Sequence, residues 1–302
     1  GNKGLVGSAI CKIGESYSDK YEILSTDSSI DLRDYNEVDE LFNKHRFDYV
    51  IHTAGRVFGI GGNLKFPADL FHDNILINTH IIKACVDYGV QKLIAYSSIC
   101  AMPNDLSVTI EADMHSGPCF KDNFPYGMAK RCVSVYIEAC IKQYGIKNYT
   151  ALIPGNIGGP RDLYNVETGH VIPSLVAKLY YAKSKNEPLY CFGNGNSLRQ
   201  FIHSEDLAKI CLELLELDNI PPRLLICGEK EYSIRYIVEK LAKIADFKNP
   251  IIWENDKPGQ LARPTDISLF KSLFPNFQFK EVEEILQDSW NYFVENYPNV
   301  RM

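Results

Sequence analysis

Three glycines, Gly1, Gly4 and Gly7, open the chain at intervals of three residues and run directly into the helical pattern Ser8-Ala9-Ile10-Cys11. Glycine at this spacing lets a backbone turn tightly, approach a pyrophosphate, and pack a helix close to a strand. Such a loop belongs between a strand and a helix. The sequence starts on the loop itself, so the expectation is that the first and central strand of a doubly wound sheet is missing from it.

Downstream, short apolar runs alternate with amphipathic ones. Tyr21-Glu-Ile-Leu24 reads as a strand ending in Ser25-Thr26-Asp27, and Tyr35–His45 as a helix with Val38, Leu41 and Phe42 on its apolar face. Asp48-Tyr-Val-Ile-His-Thr-Ala54 is a strand entering a small-residue turn at Gly55, and Pro67 opens a helix over 67–85. Lys92-Leu-Ile-Ala-Tyr96 is the next buried strand, ending in the hydroxyls of Ser97 and Ser98. A helix carries Tyr126 and Lys130 to about Tyr144, and Thr150-Ala-Leu-Ile153 is a strand stopped by Pro154. This rhythm argues a Rossmann-type α/β fold, a doubly wound parallel sheet with helices on both faces.

After Pro154 the alternation loosens. A helix spans 170–182, Leu189–Phe192 reads as a strand, Phe201-Ile202 as a shorter one, and a helix starts at Ser204. The expected division is a nucleotide-binding domain over 1–153 and a smaller mixed α/β lobe in most of 154–302, with some segments returning to the sheet. Such a lobe would close over the C-terminal edge of the sheet, where open α/β folds bind ligands.

Composition narrows the function classes. The chain has 302 residues, 45% of them hydrophobic, and a net charge of −6, which gives no reason to expect nucleic-acid or membrane partners. No apolar run approaches the roughly 18–20 residues of a membrane span. Nine cysteines are scattered without a C-x-x-C pair, so neither a disulfide framework nor a metal site is expected, and a reducing cytoplasmic setting is.

Tyr126-Gly-Met-Ala-Lys130 places a phenol and an ammonium on one helix face, one turn apart. A lysine charge beside a phenol would favour the phenolate and lower its pKa, suiting a proton carrier at a carbonyl or alcohol oxygen. Taken one at a time, Ser98, Tyr126 and Lys130 also fit a capping serine, a core tyrosine and a solvated lysine. Following the glycine loop in this order, they resemble the short-chain dehydrogenase/reductases, with a length suited to the extended branch.

Further motifs narrow the resemblance. Ser98-Ile-Cys100-Ala-Met-Pro103, Gly169-His170-Val-Ile-Pro173, Arg56-Val-Phe-Gly-Ile-Gly-Gly-Asn63 and Gly193-Asn-Gly-Asn-Ser-Leu-Arg199-Gln-Phe-Ile-His203 are similar to stretches of the GDP-L-fucose synthase family. With Lys257-Pro-Gly and Arg263 the likeness spans essentially the whole chain. It implies C3/C5 epimerisation and NADPH-dependent C4 reduction of a GDP-4-keto-6-deoxy-sugar. Cys100 would be the base and His170 the acid, a pair able to work near neutral pH. Ser98 and Tyr126 would hold the enolate oxygen, and Lys130 the nicotinamide ribose.

The same resemblance assigns cofactor contacts to Gly1, Lys3, Gly4, Leu5, Val6, Gly7, Asp27, Asp31, Leu32, Ala54, Tyr96, Lys130, Pro154, Asn156 and Ile157. It gives the GDP-sugar to Asn156, Val171, Lys178, Phe192, Arg199 and Arg263, and it implies a homodimer. Two features pull apart on the cofactor. Lys3 is a cation suited to the 2′-phosphate of NADP(H), which the family favours, whereas Asp27 lies where an acid binds the 2′-hydroxyl of NAD(H). Met102, Gly158, Arg161, Lys178 and Phe192 depart from the family's usual residues around the sugar and nucleotide. These departures leave open a C4 reductase without epimerase activity, on a related GDP-4-keto sugar such as a heptose. A non-catalytic nucleotide-binding protein on this fold would have lost the reactive side chains, and all five are present.

Overall fold

A computed structural model describes residues 1–26, 29–254 and 264–302. The glycine loop leads into α1 (Leu5–Gly14), and α2 (Tyr35–His45) starts where the Asp34 carboxylate accepts from the Asn36 amide at 2.8 Å. Then come β1 (Tyr49–His52), α3 (Ile60–Lys65), α4 (Pro67–Asp87) and β2 (Lys92–Tyr96). Next are α5 (Phe124–Tyr144), β3 (Tyr149–Pro154), β4 (Asn156–Gly158), α6 (Val171–Lys185), β5 (Leu189–Phe192) and β6 (Leu198–His203). The chain closes with α7 (Ser204–Leu214), β7 (Arg223–Ile226), β8 (Glu231–Ser233), α8 (Ile234–Ile244), β9 (Ile251–Glu254), α9 (Ser268–Leu273) and α10 (Val282–Asn296). Proline in the first turn of α4 and α5 fits a position with no amide to satisfy.

Four strands form a wholly parallel sheet in the order β1-β2-β3-β7. Alternate residues of β2 face opposite sides, so Leu93 and Ala95 pack with Phe42, Ile82 and Ile137 from α2, α4 and α5. Ile94 and Tyr96 pack on the other face with Leu207, Ile210 and Leu214 of α7. Both faces are therefore covered, as a parallel sheet requires. Strand β7 forms the outer edge of this sheet beside β3, and α7 packs on its face. A separate core joins α6, α8 and α10 through Leu175, Leu179, Ile237, Leu241, Ile285 and Phe293. Two small sheets accompany it, β4-β6-β8 and the parallel pair β5-β9.

Three expectations change. Tyr21-Glu-Ile-Leu24 is not a strand: its backbone has no ladder partner, and a cavity of about 580 Å³ lies between it and β1, lined by residues 20–26 and 48–54. A strand exists only through the neighbour that takes up its amides and carbonyls. Helix α3 was unforeseen because Gly61 and Gly62 mask its pattern. Strand β6 covers six residues rather than Phe201-Ile202 alone, since its polar half pairs with β8.

Candidate active site

Strand β2 ends at Tyr96, and through Ser97 and Ser98 the chain turns at once into a short 3-10 helix, Ile99–Ala101. The Ser98 hydroxyl caps that turn, accepting from the Cys100 amide at 3.1 Å, which ties the two residues together at the strand's end. Helix α5 is pinned against the turn at several points. Ser97 Oγ donates to the Lys130 carbonyl at 2.9 Å, Arg131 Nε donates to the Ala101 carbonyl at 2.8 Å, and Arg131 Nη1 to that of Gly117 at 2.8 Å. Between the reactive residues, Gly127 lets the helix come close: a Cβ there would lie 2.5 Å from the Cys100 carbonyl oxygen.

This seating buries Tyr126 and Lys130, which are 6% and 3% exposed. The expectation that Lys130 lowers the Tyr126 pKa is corrected. Burial pushes the phenol up, the nearby Cys100 adds to the rise, and the hydrogen bond with Ser98 only partly opposes it. The Lys130 ammonium is instead directed at the Tyr96 carbonyl, 3.0 Å from Nζ, and burial lowers its own pKa to about 8. Tyr126 therefore stands as a firmly protonated phenol, a donor held ready rather than a phenolate. The Tyr96 side chain takes no part, because its hydroxyl meets Cys211 Sγ in the core at 3.0 Å.

The glycine loop borders the same edge of the sheet. A Cβ on Gly7 would come within 2.1 Å of the Gly1 carbonyl oxygen, so only glycine permits this turn. Gly1 abuts Thr53 and Ala54 at the end of β1, while Gly4, Leu5 and Val6 form the uncapped start of α1. Lys3 is exposed on the loop, and Asp27 lies outside the described residues. Asp31 pairs with Arg33 at 2.8 Å, which holds its carboxyl near 2, and the Leu32 carbonyl lies 3.1 Å from His80 Nδ1. Across the sheet, Pro154 ends β3, and Asn156 Nδ2 donates to the Gln200 carbonyl at 2.8 Å beside the half-buried Ile157.

Two groups stand out here that the sequence did not single out. Measured from where a Cβ on Gly55 would sit, Lys130 Nζ is 3.2 Å away and Asn74 Oδ1 is 2.9 Å away. That Asn74 oxygen is buried with no hydrogen-bond partner among the described residues, although its amide nitrogen serves the Arg56 and Leu70 carbonyls. From the far end of the chain, Arg301 Nη1 reaches within 3.5 Å of the Cβ position of Gly4. Neither had a motif to announce it. A loop sealed to any side chain, an uncapped helix start and an orphaned oxygen beside an ammonium fit a dinucleotide with its pyrophosphate on the loop and its ribose near Lys130.

His170 enters from the other side, as the residue before α6 and Val171. The Arg56–Ile60 stretch ties it to the same edge, because the Gly59 amide donates to the Thr168 carbonyl at 2.7 Å and Gly59 packs on Gly169 and the His170 nitrogen. His170 Nδ1 faces Asp162 Oδ1 at 3.9 Å. Burial opposes a charge on the ring, and the Asp162 carboxylate outweighs it, so the His170 pKa is raised. Further out, half-buried Lys178 lies near Cys191, Phe192 is 71% exposed, and Arg199 Nη1 donates to the Leu198 carbonyl at 2.6 Å. Arg263 lies outside the described residues. Cys100, Ser98, Tyr126 and Lys130 thus form one cluster, the Gly55–Gly59 stretch meets Lys130 at one end and the His170 turn at the other, and Lys178, Phe192 and Arg199 belong to the second core's periphery.

Residues 1–228 match the model of the NAD dependent epimerase/dehydratase family. The chain is 34% identical to the GDP-L-fucose synthase of Dictyostelium discoideum over all of this chain and 96% of that one. The crystal structure of a GDP-L-fucose synthetase from Naegleria fowleri bound to NADP superposes with a TM-score of 0.91 at 31% identity, covering 100% of this chain and 93% of the other. A GDP-6-OMe-4-keto-L-xylo-heptose reductase from C. jejuni shares the fold, with a TM-score of 0.88 at 20% identity over 98% and 96% of the two chains. Among the described residues, no helix is long and apolar enough to cross a membrane.

Proposed function

The chain belongs to the NAD dependent epimerase/dehydratase family and within it to the GDP-L-fucose synthase family, and from that premise we propose that it epimerises C3 and C5 and reduces C4 of a GDP-4-keto-6-deoxy-sugar with NADPH. The observation that carries this reading is the joining of Ser98, Cys100 and Tyr126 by one capped turn and one glycine-seated helix. A reductase alone needs the serine, tyrosine and lysine. The thiol beside them adds a base for the acidic hydrogens next to the ketone.

Dinucleotide contacts fall to Gly1, Lys3, Gly4, Leu5, Val6 and Gly7 of the loop, with Arg301 above Gly4 as a further cation for the pyrophosphate. Asp31, Leu32 and Ala54 would line the adenosine side, and Lys130, Asn156 and Ile157 the nicotinamide side. When bound, NADPH supplies a hydride to C4. Cys100 removes a proton at C3 or C5, His170 returns one to the opposite face, and Ser98 with Tyr126 holds the enolate oxygen. Tyr126 then gives its proton to the C4 oxygen, and Lys130, charged below about pH 8, holds the nicotinamide ribose. The GDP end is assigned to Lys178, Phe192, Arg199 and Arg263 in a lobe taken from 154–302, the exposed Phe192 ring being open to stack on guanine. A cytoplasmic homodimer joined through α4 and α5, which expose Phe71, Val135 and Tyr144, completes the reading.

The test incubates the protein with GDP-4-keto-6-deoxy-D-mannose in deuterated water without reduced cofactor, then adds NADPH. Deuterium at C3 and C5 followed by NADPH consumption is expected. Consumption without exchange would replace the epimerase with a C4 reductase, and neither would sink the proposal.

A further inference from the structure

The turn before His170 holds a buried carboxylate whose partner is incomplete. Asp162 is 5% exposed, its Oδ1 accepts from the Leu163 amide at 2.7 Å, and its Oδ2 is buried with no hydrogen-bond partner among the described residues. A carboxylate stripped of water on one oxygen costs free energy unless a cation answers it. The ring of His170 faces the other oxygen of the same carboxylate, with Nδ1 3.9 Å from Oδ1, and sets a cation beside it when protonated.

The backbone around Asp162 is built to hold this position. Gly159 has φ 142° and Arg161 has φ 65°, a left-handed conformation that costs a non-glycine residue roughly 1–2 kcal/mol. Two anchors keep the turn in place. Tyr164, fully buried, donates its hydroxyl to the Ser289 carbonyl at 3.1 Å, and its amide donates to the Arg301 carbonyl at 2.8 Å. A strained turn fixed by the core on its far side sets one acid beside one imidazole.

Among the described residues, no rival charge explains the arrangement. The opposing Arg56–Ile60 stretch meets His170 with Gly59 backbone, and the Arg56 guanidinium is engaged by Asp69 at 3.5 Å and Asp73 at 2.9 Å. The first turn of α6 carries no acid. Among the described residues, Asp162 is the charged group acting on the ring.

We propose that Asp162 is the positioning residue of the proton donor, orienting the His170 imidazole through Nδ1 so that Nε2 carries the transferable proton toward the sugar. The inference rests on the epimerase reading for its role in turnover, but the pairing itself does not. In the step, the Nε2–H bond breaks as a C–H bond forms at the enolate carbon, leaving neutral imidazole beside Asp162. The half-exposed ring then regains its proton from water. A gap of 3.9 Å is wider than a hydrogen bond, and such contacts commonly shorten once substrate closes the site.

The experiment titrates isotope-labelled histidine rings by NMR, with His170→Gln identifying the His170 signal. In the wild type, His170 is expected to titrate above the ordinary histidine value near 6.5. In Asp162→Asn its proton affinity should fall by about tenfold or more, and Asp162→Glu should recover part of it. Deuterium exchange at C3 and C5 of GDP-4-keto-6-deoxy-D-mannose should shift its acid-dependent limb to lower pH in step, with the melting temperature as a control for folding. A wild-type value at or below the ordinary one overturns the proposal even if the variants fail to fold, and so does an unmoved titration in Asp162→Asn. If the titration moves but the wild type exchanges no deuterium, the epimerase reading falls and the Asp162–His170 pairing stands.

Discussion

Gly127 and Cys100 lie so close that a Cβ on the glycine would come within 2.5 Å of the cysteine's carbonyl oxygen. The missing side chain seats α5 on the Ser98–Ala101 turn, and with it Tyr126 on Ser98. Gly127→Ala is expected to destabilise the fold by about 1–3 kcal/mol, as overpacking does. The displaced phenol should lower reductase turnover on the order of 10²-fold. Urea unfolding and steady-state rates check both. An alanine variant with unchanged turnover would show that this close approach does not set the geometry.

Lys130 gives a pH signature with opposite signs for activity and stability. Its pKa of about 8 means the ammonium is present below that value and lost above it, so C4 reduction should decline as pH rises through about 8. In the unfolded chain the same lysine keeps its ordinary value of 10.5, so between the two the unfolded state binds more protons. Stability from this group therefore rises with pH across that window and is lost as pH falls back through 8. Paired pH profiles of turnover and denaturation midpoint check the sign of each.

On the proposed reading, Cys100 is the residue whose loss would separate epimerisation from reduction. Cys100→Ala removes the base while leaving the Ser98 cap and the glycine loop in place. Deuterium incorporation at C3 and C5 should drop at least 10²-fold. Fluorescence titration should give an unchanged dissociation constant for NADPH, and a parallel loss of cofactor binding would mean the thiol acts structurally.

Arg301 and Lys3 make different demands on the cofactor. The guanidinium over Gly4 would face a pyrophosphate bound on the loop, which NADPH and NADH share, whereas Lys3 is the loop cation suited to the 2′-phosphate. Arg301→Gln should weaken both dinucleotides alike, by about fivefold for an exposed pair worth roughly 1 kcal/mol. Lys3→Ala should weaken NADPH selectively. Direct binding measurements with both cofactors distinguish the two patterns.

The places where sequence reading failed share a cause. Tyr21-Glu-Ile-Leu24 has the composition of a strand, yet strand identity comes from a partner, and none pairs with it among the described residues. Lys130 follows Tyr126 by one helical turn, so the sequence suggested a lowered phenol pKa. Burial and the direction of the ammonium toward the Tyr96 carbonyl reversed it. Asp162 was visible only as part of the run Gly159-Pro-Arg-Asp162, because nothing local marks a carboxylate as buried.

By itself the sequence determined the glycine turn, the strand–helix alternation and the helix that carries Tyr126 and Lys130. These depend on local rules: glycine's freedom, proline's missing amide, and side-chain periods of two and 3.6. Tertiary structure alone decided that burial raises the Tyr126 pKa, that Asp162 comes to lie 3.9 Å from the His170 ring, and that Arg301 lies over Gly4. Burial and charge proximity arise between residues far apart in the chain, and no local pattern encodes them.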